Sequence, residues 1–241
     1  MADGPAAAGP PGARLRLGDV QRVDFGDILT PQDWPGGAGR PLPVHGFVIR
    51  HPAGAILVDT GVGDPRARDF VREWRPVARG VADALAPLDL APADVRWVIN
   101  THLHWDHCGQ NAVFTHAPFV IQRREYETAA ARPGVVMEWF QVSGARFELV
   151  DGAAEVAPGV RVLPTPGHTA GHQAVVVSTD QGLVVLAGDA ADSIRAYRDA
   201  DPTQGAEPED SDQWRASVAA LRALRPARVC VCHDPVEWRA G

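Results

Sequence analysis

Thr101-His-Leu-His-Trp-Asp-His-Cys-Gly109 places three imidazoles and one carboxylate, those of His102, His104, Asp106 and His107, inside six consecutive positions. Neutral imidazole and carboxylate are the ligand types that zinc, iron, manganese and cobalt share, and tight spacing leaves little ordering entropy to lose when a cation binds. Outward from this block, His168 stands in Thr165-Pro-Gly-His-Thr-Ala-Gly-His172 and His233 in Cys232-His-Asp-Pro235. A lone histidine is usually a hydrogen-bonded or surface residue. Here, however, each constellation follows an apolar, β-branched run that reads as a buried strand: Trp97-Val-Ile99, Val160–Leu163 and Arg228-Val-Cys-Val231. A fourth run, Gly182-Leu-Val-Val-Leu-Ala187, ends in Gly188-Asp189. Four strands thus deliver ligand types at their carboxyl ends, the placement of a site built on loops along one sheet edge.

In order along the chain, Ile56-Leu-Val-Asp-Thr-Gly61, the His-x-His-x-Asp-His block at 102–107, Pro166-Gly-His168, Ala187-Gly-Asp189 and His233 resemble the metallo-β-lactamase-fold hydrolases. Within that family the phrasing of Thr101–Asn111, of Phe119-Val-Ile-Gln-Arg-Arg-Glu-Tyr-Glu127 and of Pro164–Gln173 is most similar to the N-acyl-homoserine lactonases. The resemblance implies a four-layer αβ/βα sandwich of the α/β class and two divalent metal ions, zinc before iron, manganese or cobalt. By family position His102, His104 and His168 would bind the first ion, and Asp106, His107 and His233 the second, with Asp189 bridging. Asp59 would orient the ligand loops by hydrogen bonds without touching metal. Read from the residues alone, Asp59 is equally a strand-end aspartate entering the turn at Thr60-Gly61. A hydroxide bridging the ions would attack a lactone carbonyl, the metals would stabilise the oxyanion, and the second metal, Asp106 or Asp192 would assist the leaving alkoxide.

Two departures from the lactonase pattern bear on the substrate. A tyrosine commonly lies three residues after the bridging aspartate in that group, and here the position is Asp192. A carboxylate donates no hydrogen bond unless protonated, so the role is either lost or turned into proton donation to a leaving group. A solvated loop or helix-cap aspartate is the plain alternative. Tyr197 lies on the same loop and could substitute. The segment after Tyr126 is also short, and Val135-Val-Met-Glu-Trp-Phe140 offers Met137, Trp139 and Phe140 either as pocket lining or as ordinary core.

The chain has no lysine, which excludes Schiff-base chemistry and a Walker phosphate loop. Its net charge of −7 and dispersed arginines argue against nucleic-acid or anionic-membrane partners; a small ester or lactone as substrate is what the resemblance implies. Two other chemistries of the same fold remain open: a glyoxalase II-like thioesterase, and a persulfide dioxygenase holding a single iron on two histidines and a carboxylate. The dioxygenase would leave His107 and His233 without metal duties. Three cysteines are too few for a disulfide framework. In a strand the thiols of Cys230 and Cys232 would face the same side as small buried groups, and Cys108 reads as filler beside a ligand.

Residues 1–13, rich in Ala, Gly and Pro, read as a disordered tail and not a signal peptide, and no apolar run of about 18 residues exists. Both point to the cytoplasm, with residues 14–241 as one domain acting as a monomer or homodimer. Periodicity predicts a hairpin of strands at 44–50 and 55–59, and a helical stretch from Asp64 to Leu85 with Phe70, Trp74, Val77, Val81 and Leu85 on one stripe, broken or kinked near Pro76 and Gly80. Helices are expected after His107, with Ala112 and Phe114 inward, and at 125–132. Strands follow at 147–150, 160–163, 174–178 and 183–187, then a helix with Trp214, Val218 and Leu221 inward, capped by Ser211.

Overall fold

The stretches 55–58, 119–121, 175–177 and 183–186 are continuous apolar runs, the composition of strands covered on both faces. In a computed structural model, which describes residues 14–32, 34, 38–204 and 208–240, these runs lie in two mixed sheets. The tail expected at 1–13 lies outside the described residues. The first sheet holds β1 (Val20–Leu29), β2 (Pro41–Ile49), β3 (Ala55–Val58), β4 (Val77–Ala78), β5 (Val95–Ile99), β6 (Pro118–Gln122) and β7 (Arg146–Val150), in the order β4-β1-β2-β3-β5-β6-β7. The second holds β8 (Ala154–Ala157), β9 (Val160–Pro164), β10 (Gln173–Thr179), β11 (Gly182–Leu186), β12 (Arg228–Cys230) and β13 (Trp238–Arg239), in the order β13-β12-β11-β10-β9-β8.

Side chains alternate between two environments with the strand period of two. Phe47, Ile49, Ile56, Val58, Ile99 and Val120 of the first sheet meet Val162, Val175, Val177, Val184 and Leu186 of the second in the core between the sheets. Their neighbours point outward. Val48, Leu57, Val98 and Phe119 pack beneath the short helix α2 (Val81–Leu85), which follows α1 (Asp69–Glu73). Later in sequence α3 (Arg123–Thr128) and α4 (Met137–Phe140) precede the second sheet, whose outer residues Val176, Val185 and Val229 are covered by α5 (Ile194–Asp199) and α6 (Ser211–Ala223). Helix, sheet, sheet, helix is the αβ/βα sandwich.

Register explains where a site can form. β3 and β5 pair in parallel, so their carboxyl ends share one edge of the first sheet. In the second, β9 and β11 both run antiparallel to β10, and β12 runs parallel to β11, which brings the ends of β9, β11 and β12 to one edge as well. Five strand ends therefore open on the same loops.

Several expectations are corrected. The stretch 64–85 is not one helix: Arg75, ahead of Pro76, takes a left-handed φ of 43°, α1 has already ended, and Val77–Ala78 pair with β1 as an edge strand. Val77 is consequently 72% exposed instead of sitting on a buried stripe. A residue before proline is disfavoured in the α region, which is why no helix runs through Arg75. After His107 there is only a 3-10 turn, Asn111–Phe114, in which Phe114 is buried but Ala112 is exposed. The helix at 125–132 is α3 followed by a 3-10 turn at Ala129–Ala131. The cap of α6 is Asp210, whose carboxylate accepts from the amides of Asp212 and Gln213, and not Ser211. Strand β1 was not foreseen, because Arg22, Asp24 and Gly26 interrupt its apolar residues and a register shift between Asp24 and Asp27 breaks the alternation. Cys230 and Cys232 do face the same side, in the core between the sheets. No helix among the described residues is long and apolar enough to cross a membrane.

Candidate metal centre

Asp59, the residue that follows β3, holds a left-handed φ of 61°, a conformation that non-glycine residues persist in when their surroundings over-determine it. Its surroundings do so. Oδ1 accepts from the Thr101 amide at 2.8 Å, and Oδ2 accepts from the Thr101 hydroxyl at 2.8 Å and lies 2.9 Å from His107 Nδ1. A carboxylate can only accept there, so His107 Nδ1 carries a proton and Nε2 is the atom turned toward the centre. That Nε2 is buried without a hydrogen-bond partner.

The loop after β5 carries His102 and His104, and the loop after β9 carries His168. His104 Nδ1 lies 3.0 Å from His102 Nε2 and 3.0 Å from His168 Nε2. Burial first, and then the neighbouring imidazoles, hold His102 and His104 well below the usual histidine range, so both rings are neutral. Three ring nitrogens crowd on one point; in a tetrahedral shell with metal–nitrogen bonds of about 2.0–2.1 Å, such nitrogens stand roughly 3.3 Å apart. The set fits one cation.

A second set forms around the loop after β12. Asp106 Oδ2 lies 3.4 Å from His233 Nε2 and 3.7 Å from His107 Nε2. The loop after β11 supplies Asp189, whose Oδ2 lies 3.3 Å from His107, 3.4 Å from His233, 3.5 Å from His168 and 4.0 Å from His102. Asp189 thus reaches both sets, and its Oδ1 is buried without a partner. Burial opposes charge on His107 and His233, yet the Asp189 and Asp106 carboxylates overcome it, raising His107 well above its ordinary value and His233 to about 9. Burial likewise opposes ionisation of Asp189, and His107 and His233 override it, holding the carboxyl well below the usual range. Orphaned donor atoms around a concentrated negative charge are what a pair of divalent cations would satisfy.

Like His107, His233 is held from behind. His233 Nδ1 is 2.8 Å from the Pro43 carbonyl. His172, which sequence reasoning left aside, accepts the Asp189 amide at Nε2 over 3.1 Å, while its Nδ1 faces the Thr165 hydroxyl at 2.7 Å. Burial, and then His168, push His172 down to about 3, as acceptance of that amide requires.

Above the centre opens a cavity of about 870 Å³. His104, Asp106, His168, Asp189 and His233 form its floor, and Ile28, Leu42, Phe70, Trp74, Trp105 and Val135 its apolar walls. Asp192 also lines it, half-buried, with a carboxylate oxygen within 4.8 Å of the ligand atoms of His168 and Asp189. Residues 39–233 match the model of the metallo-beta-lactamase superfamily. The chain belongs to that superfamily. It is 33% identical over 217 residues to an N-acyl homoserine lactonase of Bacillus cereus, covering 85% of this chain and 83% of the relative. It is 29% identical over 225 residues to the N-acyl homoserine lactonase AttM of Agrobacterium fabrum, covering 84% and 86%. A mutant of B. thuringiensis AiiA with N-decanoyl-L-homoserine bound at the active site superposes with a TM-score of 0.79 at 27% identity, covering 92% of this chain and 95% of that one.

In this metallo-beta-lactamase superfamily member the residues expected as substrate lining do not reach the cavity. Phe140 is fully buried beside Tyr126 and Phe147, and Met137 packs on the same cluster. Trp139 lies against Gly63, where a side chain would strike its ring. Tyr197 is 3% exposed in the outer helical layer near Trp238, and burial pushes its hydroxyl up to about 12. The actual walls come from β1, β2, α1 and its C-terminal Trp74, and from Trp105 and Val135 on loops. Phe70 and Trp74 carried the signal as a helical i, i+4 pair, and Trp105 stood inside the histidine block itself.

Proposed function

We propose that this protein is a dinuclear metal-dependent hydrolase that opens a lactone ring bearing an apolar arm. The observation that carries the reading is Asp189 reaching two separate imidazole sets on the floor of an apolar cavity. His102, His104 and His168 would hold one ion, Asp106, His107 and His233 the other, and Asp189 both, with zinc the leading metal. When bound, such ions supply Lewis acidity, polarising a carbonyl and bringing the ionisation of water toward neutral pH. The protein's own groups do the rest. Asp59 and the Pro43 carbonyl fix the His107 and His233 rings, so little reorganises as charge develops. Trp74, Phe70, Leu42 and Ile28 shed water and seat an apolar chain. Support for a lactone with such a chain comes from the 33% identity to N-acyl homoserine lactonase and from the similar structure that holds N-decanoyl-L-homoserine. Three buried, unpaired thiols support a reducing, cytoplasmic setting.

Asp192, on the wall beside His168 and Asp189, stands where a protonated carboxyl can hand its proton to a departing alkoxide. Asp192→Asn lowers kcat by about 100-fold with the ion content unchanged. An unaltered rate would remove Asp192 from the chemistry, and loss of an ion would make it a ligand instead; ion analysis beside steady-state kinetics reads both. The proposed reaction itself is tested by pH-stat assays on N-acyl homoserine lactones of increasing chain length, simple lactones and thioesters. Lactone opening that improves with chain length is the expected result, and thioester cleavage without ring opening contradicts it.

A further inference from the structure

The segment 119–127 lines none of the cavity, yet it supplies the best-satisfied buried carboxylate in the vicinity of the centre. Glu125 on α3 is fully buried. Its Oε1 accepts from the amide of Leu103, the residue between His102 and His104, at 3.0 Å. Its Oε2 accepts from the hydroxyl of Thr169, the residue after His168, at 2.8 Å, and from the Gly171 amide at 3.2 Å. The approach is so close that a side chain on Gly171 would collide with the Glu125 backbone. One carboxylate therefore ties the loop of the first sheet that carries two of the imidazoles to the loop of the second sheet that carries the third.

Arg132 completes the arrangement. Its side chain is 5% exposed, and it donates to Glu125 Oε1 and Glu209 Oε1, each at 2.6 Å, while Glu209 Oε2 accepts the Ala170 amide at 3.0 Å. Burial pushes the Glu125 carboxyl up, and Arg132 with the Thr169 and Leu103 hydrogen bonds pulls it back. A buried ion pair is often no more stabilising than an apolar replacement, so stability alone gives weak reason for this one. Its geometry gives a better one, since every acceptor direction of Glu125 is spent on the two loops or on Arg132.

We infer that Glu125 is a positioning residue, setting the separation of His102, His104 and His168 for their ion by clamping both loops from beneath. This rests on the assignment of those three histidines to one ion. The clamp is separable from the fold itself, because Gln173 independently joins the sheets: its amide donates to the Thr101 carbonyl at 2.9 Å and its side chain to the Asn100 carbonyl at 2.9 Å.

The test compares the parent with Glu125→Gln and Thr169→Val. Glutamine places an amide donor against donors on at least one loop, whereas Thr169→Val removes a single hydrogen bond without altering size. Zinc affinity is measured stepwise against a chromophoric chelator, and amide hydrogen exchange of Leu103 and Gly171 is followed in the metal-free protein. In Glu125→Gln one of two zinc ions binds about 10–100-fold more weakly, the other is unaffected, and at least one of the two amides exchanges faster. Thr169→Val weakens the same ion by less. Equal weakening of both ions, or lower thermal stability with affinities and exchange unchanged, would overturn the inference and leave Glu125 a structural residue. Should Glu125→Gln not fold, Thr169→Val decides by the same criterion. A parent that binds fewer than two zinc ions defeats the two-ion assignment, whereas a two-ion parent with unaffected variants defeats the clamp alone.

Discussion

Asp189→Ala leaves a folded protein that no longer retains two ions and that opens lactones at least about 1,000-fold more slowly than the parent. Asp189 is 4% exposed, and its Oδ2 lies within 4.0 Å of the ring nitrogens of four histidines on three separate loops. Removing it takes away the group that belongs to both ligand sets and leaves the Nε2 atoms of His107 and His233 facing the Asp106 carboxylate alone. Several kcal/mol of transition-state stabilisation is the usual contribution of a metal ion, which at 1.36 kcal/mol per tenfold gives the expected loss. The backbone tolerates the change, since φ −99° and ψ 20° at this position suit alanine. His104→Ala serves as the contrast, because it belongs to one set: it loses one ion and keeps the other. Elemental analysis with steady-state kinetics gives both readings, and Asp189→Ala with two tightly held ions would contradict the bridging assignment.

Removal of the ions by a chelator lowers the melting temperature by at least about 10 °C, and two equivalents of zinc restore it. The reason lies in what the ions leave behind. His107 Nε2 and Asp189 Oδ1 are buried and without partners, and four buried imidazoles and two buried carboxylates face one another. An ion at a thousand times its dissociation constant stabilises the folded state by about 4 kcal/mol, and a chain of this size shifts by roughly 2–4 °C per kcal/mol. Differential scanning calorimetry with and without chelator measures the shift. An unchanged melting temperature would mean that the site is self-sufficient as a polar network.

The legible parts of this molecule are those in which local sequence carries the physical constraint. Runs such as Val175–Val177 and Val184–Leu186 announce strands covered on both faces, and a histidine block after such a run announces a loop at a sheet edge. The hidden parts depend on partners remote in sequence. Phe70 and Trp74 show a helical spacing, but whether that face meets core or substrate depends on β1 and β2, and the turn at Arg75 and Pro76 redirects it. Met137, Trp139 and Phe140 are equally apolar, and packing by Tyr126, Phe147 and Gly63 consumes them. Glu125 reads as a solvated helical charge until Arg132, seven residues on, and the loops of two sheets close around it. The centre was recognisable because its ligands are dense in sequence; its walls were not, because they are assembled.

The central claim, two ions on one aspartate opening a lactone, is most directly tested by adding zinc in fractions to the metal-free protein while following N-acyl homoserine lactone opening by pH-stat. Ring opening that reaches its maximum at two equivalents, and that in Asp189→Ala stays at least about 1,000-fold slower at any zinc level, is the predicted result. Full activity at one equivalent, or two bound ions with no ring opening, would contradict it.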